Sequence, residues 1–138
     1  MQYFFYLFLY IFRLRHFAHA RTHKTRASLL YNLKMTELLE AAEFAKLEDG
    51  ALCPASPKGL PVLLIRKGAH VFALENRCVH LGCPLAAGTL DGYTLKCPCH
   101  DWRFDVRDGR FIDAPRLRLK TYTVTIKDGK VFIREVDK

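Results

Sequence analysis

From residue 42 onward, apolar and polar positions fall into short runs cut by glycine-bearing turns, a pattern of strands rather than helices. "VLLI" (62–65) and "HVFALE" (70–75) flank "RKGA", which predicts a hairpin. "TLDGYTLK" sets Asp91-Gly92 between two short strands and predicts a type I′ turn, where positive φ is needed. "RFDVRDGRFI" repeats the device with Asp108-Gly109, and "YTVTIKDGKVFI" repeats it with Asp128-Gly129. In the last of these, Tyr122, Val124 and Ile126 share one face, while Thr121, Thr123 and Thr125 share the other. Strands this short and this closely spaced predict a small all-β fold, an antiparallel sandwich or barrel. The one helical candidate is "TELLEAAEF" (36–44).

Composition adds a boundary. With 138 residues, 50% apolar and 26% charged, the chain suits one globular domain with a modest core. Its net charge of +8 is unevenly spread. Arg13, Arg15, Arg21, Lys24, Arg26 and Lys34 stand in the first 34 residues with no acid among them, which leaves +2 for 35–138. The basic balance therefore belongs to the leader and gives no ground for a nucleic-acid partner. The leader's apolar run, 3–12, would make about 15 Å of helix against roughly 30 Å of hydrocarbon, too short to span a bilayer. Its positive charges follow the apolar run, the reverse of a secretory signal. We read 1–34 as lying outside the folded domain, an over-extended start with Met35 as the natural first residue; an interfacial anchor is the alternative. The folded domain is then 35–138, and the expected location is cytoplasmic, with no membrane partner unless the leader is an anchor.

The chemistry gathers in "CVHLGCPLAAGTLDGYTLKCPCHDW" (78–102), which holds four of five cysteines and two of six histidines. The spacing is C-x-H-x2-C, thirteen residues, then C-x-C-H, and each half follows a predicted strand. Pro84 and Pro98 stand beside cysteines and hold both loops out of strand pairing. Two loop tips offering thiolate and imidazole donors toward each other predict a metal site. Chance clustering of core thiols does not account for two Cys-His loops, and a pure disulfide framework strands both histidines. A structural zinc site remains open, although Cys78-x-His80 is tighter than the two to four intervening residues usual for zinc pairs.

C-x-H, sixteen residues and C-x-x-H, met by Cys78, His80, Cys97 and His100, resemble the signature of the Rieske [2Fe–2S] family. The likeness covers about residues 42–134 and extends to "FDVRDGRF" and to "DAPRLRLKTYTV", similar to the family's proline loop and closing strands. It implies an antiparallel β base carrying a small rubredoxin-like cluster-binding subdomain at about 77–115. It also implies one Rieske [2Fe–2S] cluster per chain, with Cys78 and Cys97 on the inner iron and His80 and His100 on the outer one. In the family's respiratory-complex branch, cysteines at the positions of Cys83 and Cys99 form a disulfide, so the resemblance implies that bridge here; Cys53 takes no role. That branch also carries serine and tyrosine hydroxyls where this chain has Trp102 and Phe104. Losing donors to sulfur lowers the potential, toward a ferredoxin and away from quinol oxidation.

The expected function is a single-electron carrier between a reductase and a terminal oxidoreductase, with those two redox proteins as partners. Leu81, Leu85 and Pro115 would rim the exposed histidines, with a core role for Leu85 nearly as well supported. A small subunit of a nitrite reductase-like or other multi-subunit oxidoreductase is the alternative, and a zinc-stabilised binding module is the non-redox one. A terminal oxygenase would need a second iron domain that 138 residues do not accommodate.

Overall fold

The computed structural model describes residues 37–135, so the leader lies outside the described residues. Two antiparallel sheets make up the described part. The larger has six strands, β1 (Leu39–Glu43), β2 (Leu52–Ala55), β3 (Val62–Lys67), β4 (His70–Glu75), β8 (Thr121–Lys127) and β9 (Lys130–Glu135), in the order β1-β9-β8-β4-β3-β2. It curls into a half-barrel, and Lys58, in the turn after β2, reaches Glu37 just before β1. The smaller sheet has three strands of three residues each, β5 (Thr89–Asp91), β6 (Thr94–Lys96) and β7 (Arg103–Asp105), inserted between β4 and β8. The expected all-β class with a small inserted lobe is what the chain adopts.

The β3–β4 hairpin is the hub. Val62, Leu63, Leu64 and Ile65 are all fully buried, so this strand is covered on both faces, which is why it reads as an unbroken apolar run. Val62, Leu64, Val71 and Ala73 join Tyr122, Val131 and Ile133 in one core, inside the curl. Leu63, Ile65 and Leu74 point the other way and join Leu85, Leu95, Phe104 and the two buried cysteines in a second core beneath the lobe. Burial of such side chains stabilises by about 1.5–3 kcal/mol each, so this shared core outweighs what three three-residue strands supply by themselves.

Three sequence expectations change. Of "TELLEAAEF", the described residues 37–44 form no α-helix: Leu39–Glu43 is a strand paired with β9, followed by a 3₁₀ turn at Phe44–Lys46. Its Ala and Glu residues favour helix, but a register shift between Glu40 and Ala42 lets the segment close the sheet edge beside Ile133 and Val131. In the β5–β6 hairpin, Asp91 pairs with Thr94, so the loop is Gly92-Tyr93; only Gly92 has positive φ (57°), the pattern of a type II′ turn rather than I′. Asp128-Gly129 does carry positive φ at both positions (52° and 74°). On β8 the apolar face fades outward: Tyr122 is buried, Val124 half-buried and Ile126 exposed.

Gly88 ends the 3₁₀ turn Leu85–Ala87 where the chain passes close to β6. A Cβ there would stand 2.2 Å from the Lys96 carbonyl oxygen and 3.1 Å from that of Leu85, both backbone atoms. Gly88→Ala is therefore expected to destabilise the domain by about 1–3 kcal/mol, the range for forced overpacking. A urea unfolding midpoint equal to that of the parent chain would refute this close packing.

Candidate metal centre

Two loops built alike carry the candidate ligands. The first follows β4. The Cys78 N–H donates to the Cys83 carbonyl at 2.9 Å, and the Gly82 N–H donates back to the Cys78 carbonyl at 2.8 Å. The second follows β6: the Cys97 N–H donates to the Trp102 carbonyl at 2.8 Å, and the Asp101 N–H to the Cys97 carbonyl at 3.2 Å. Both close through a left-handed residue four positions after the first cysteine, Gly82 (φ 73°) and Asp101 (φ 59°). Aspartate is among the few side chains that visit this region readily, and Lys96 Nζ holds its carboxylate at 2.9 Å. Asn76 anchors the first loop by accepting the Ala86 N–H on Oδ1 at 2.8 Å. Nothing in its sequence context pointed to that role.

The four candidate ligands separate by depth. Cys78 and Cys97 are buried, 3% and 1% exposed, one at the head of each loop. His80 and His100 are exposed, with ring centroids 4.7 Å apart and nearly perpendicular planes. Burial pushes the Cys78 thiol above its ordinary pKa, backbone N–H groups of His80 and Leu81 pull it down, and Cys97 pushes it up again. Two buried thiols, one from each loop, fit a cation that takes the place of their protons.

Cys83 and Cys99 are joined by a disulfide, with Cα atoms 6.5 Å apart, linking the first loop to the second. Its two sulfurs and that of Cys97 all lie within 4.8 Å of one another, so the staple sits directly against a candidate ligand. Cys53 stands apart on β2, half-buried and unbridged.

Trp102 is a layer rather than a bystander. Its indole stacks on the His80 ring (4.5 Å, 10°) and, on its other side, on Phe111 (4.2 Å, 10°). Phe104, fully buried, tilts against both Trp102 and Phe111. Phe111, the last residue of "FDVRDGRF", completes the stack, a role its place in the sequence does not show. Of the expected rim, Leu81 (67% exposed) and Pro115 are at the surface, but Leu85 is fully buried in the core beneath the lobe. Leu85 follows Pro84 into the 3₁₀ turn, which turns its side chain inward.

The model of the Rieske [2Fe–2S] domain family matches residues 37–123, more than half of the chain. The chain belongs to the Rieske [2Fe–2S] family. Among its relatives, the ferredoxin component of the naphthalene 1,2-dioxygenase system of Pseudomonas aeruginosa is 32% identical over 101 residues, 72% of this chain and 97% of that protein. Carotenoid phi-ring synthase of Chlorobaculum tepidum is 45% identical over 79 residues, 55% of this chain but only 12% of that protein. Among solved structures, the ferredoxin of carbazole 1,9a-dioxygenase from Nocardioides aromaticivorans IC177 superposes with a TM-score of 0.66 at 25% identity, covering 73% of this chain and all of that one. As a Rieske-type ferredoxin domain, the chain is a carrier of single electrons with a [2Fe–2S] cluster as its cofactor, working between a reductase and a terminal oxidoreductase. Among the described residues, no helix is long and apolar enough to cross a membrane.

Proposed function

We propose that Cys78, His80, Cys97 and His100 hold the cluster and that this Rieske chain is the ferredoxin component of a ring-hydroxylating dioxygenase-type system, located in the cytoplasm. The observation that carries the ligand reading is the arrangement by depth: two buried thiols beneath two exposed imidazoles, on two matching loops. When bound, the cluster supplies a reversible one-electron centre, within roughly −150 to +300 mV for Rieske sites.

The chain's own residues do the rest. Cys78 and Cys97 would hold the cluster from the buried side, away from water, and the Cys83–Cys99 disulfide ties their two loops together. His80 and His100 turn their edges to solvent, where a partner can approach closely. Trp102, wedged between His80 and Phe111, sets the plane of the His80 ring. Leu81 and Pro115 supply exposed apolar surface on the segments beside it. With aromatic carbon at 102 and 104 in place of hydroxyls, the lower end of the Rieske range is favoured.

The test is compositional and then functional. Purified protein should be red-brown with two irons and two acid-labile sulfides per chain, as a Rieske [2Fe–2S] site requires. Once reduced, it should pass electrons to the oxygenase component of a naphthalene dioxygenase system and support turnover there. A colourless protein with one zinc would sink the ligand reading; a loaded protein that reduces no oxygenase would sink the system assigned to it.

A further inference from the structure

The acids around the candidate metal centre are almost all neutralised by near neighbours. Asp101 pairs with Lys96 and Asp113 with Arg103, each at 2.9 Å, and Asp108 pairs with Arg110 at 3.2 Å. Asp105 accepts Arg107 Nε at 2.9 Å, which together with the second guanidinium contact holds its carboxyl below the usual range. Arg77, Arg116 and Arg118 enter no ion pair among the described residues. From Arg77 to Lys120 there are eight Lys and Arg against five Asp and Glu; the rest of the described chain has seven against eight. The excess positive charge of the described chain thus sits in the segment that bears the histidines.

The surplus arginines lie on the loop that carries His80 and on the arm hydrogen-bonded to Phe111, and all three are exposed. Arg77 directly precedes Cys78. Arg116 and Arg118 flank Leu117, whose carbonyl accepts the Phe111 N–H at 2.9 Å. The Phe111 ring lies on Trp102 and Trp102 lies on His80, so two stacked rings separate the arginine-bearing arm from the His80 edge. Leu117 is 46% exposed, and Val79 and Leu81, on either side of His80, are 42% and 67% exposed.

We propose that Arg77, Arg116 and Arg118, with exposed Val79, Leu81 and Leu117, form a docking surface for a redox partner whose own face is acidic. The proposal rests on the ligand reading above, which puts the electron's exit at the histidine edges. Carriers of single electrons meet their partners through small, short-lived interfaces, where charge steers the encounter and apolar contact supplies brief adhesion. A field of the right sign raises encounter rates by about 10- to 1,000-fold, and salt erases the gain. A basic partner face would meet three uncompensated arginines and be turned away.

The experiment uses the full chain, reduced with dithionite and freed of excess reductant, then mixed in a stopped-flow instrument with one of two oxidants. Ferricyanide, a trianion, takes one electron to become ferrocyanide; ferric cytochrome c, a basic protein, takes one to become ferrous. Rates are followed from about 10 to about 200 mM salt, across which the screening length shrinks from roughly 30 to under 10 Å. Arg116→Glu with Arg118→Glu should slow ferricyanide about tenfold at low salt and speed cytochrome c, with both differences vanishing at high salt. Arg116→Gln with Arg118→Gln should fall between. Salt slopes identical to the parent chain's for both oxidants would overturn the proposal while leaving the ligand reading intact. A protein without iron that gives no signal with either oxidant would overturn the ligand reading and, with it, this inference.

Discussion

His80→Ala is expected to abolish the Rieske absorption and lower bound iron, while the far-UV circular dichroism stays that of the parent chain. His80 is exposed and lies outside both cores, so its removal leaves the packing of Leu63, Leu74 and Phe104 intact. On the proposed ligand set it removes one of two imidazole donors, and among the described residues the rings packed against it are the carbon face of Trp102 and His100, itself the other proposed donor. Losing a residue that merely supports a ligand weakens metal binding by about 10–100-fold, and loss of the ligand itself should exceed that. Val79→Ala, exposed and adjacent, serves as the control. An unchanged spectrum in the histidine variant would mean that the outer iron is held elsewhere.

The second large effect concerns the staple. Replacing Cys83 and Cys99 together by Ser should lower the stability of the metal-free domain by about 3 kcal/mol, the loop-closure value for a bridge spanning some 15 residues. The observed separation is 16. For a domain of this size that corresponds to a drop of about 10–20 °C in Tm. Reductant should lower the Tm of the parent chain in the same way and leave the double variant unmoved. A double variant that melts with the parent, and a parent indifferent to reductant, would show that the bridge contributes nothing to stability.

How far the sequence could be read depended on the kind of residue. Cys78, His80, Cys97 and His100 stand out as candidate ligands because ligand chemistry restricts both residue type and spacing, and both survive in a linear string. Hairpins with a glycine in the loop were legible for a similar reason, although which residues form the turn depends on register, and Gly92-Tyr93 displaced Asp91-Gly92. Residues 39–43 misled because local preference and tertiary demand disagree there, and pairing with β9 prevailed. Trp102, Phe111 and Asn76 could not be placed in advance. Two rings stacked at 4.2 Å and a side-chain amide holding a turn are relations between distant positions, and no spacing rule encodes them.

The hairpin covered on both faces has a practical consequence for anyone altering this protein. Along β3, odd-numbered Leu63 and Ile65 belong with the lobe that carries the candidate ligands, while even-numbered Val62 and Leu64 belong with the curled sheet. On β4 the parity inverts, with Leu74 on the lobe side and Val71 and Ala73 on the other. Neighbours in the chain thus answer to different masters: a shortened side chain at 63 should be felt in the spectroscopy of the centre, and one at 64 only in the melting of the scaffold.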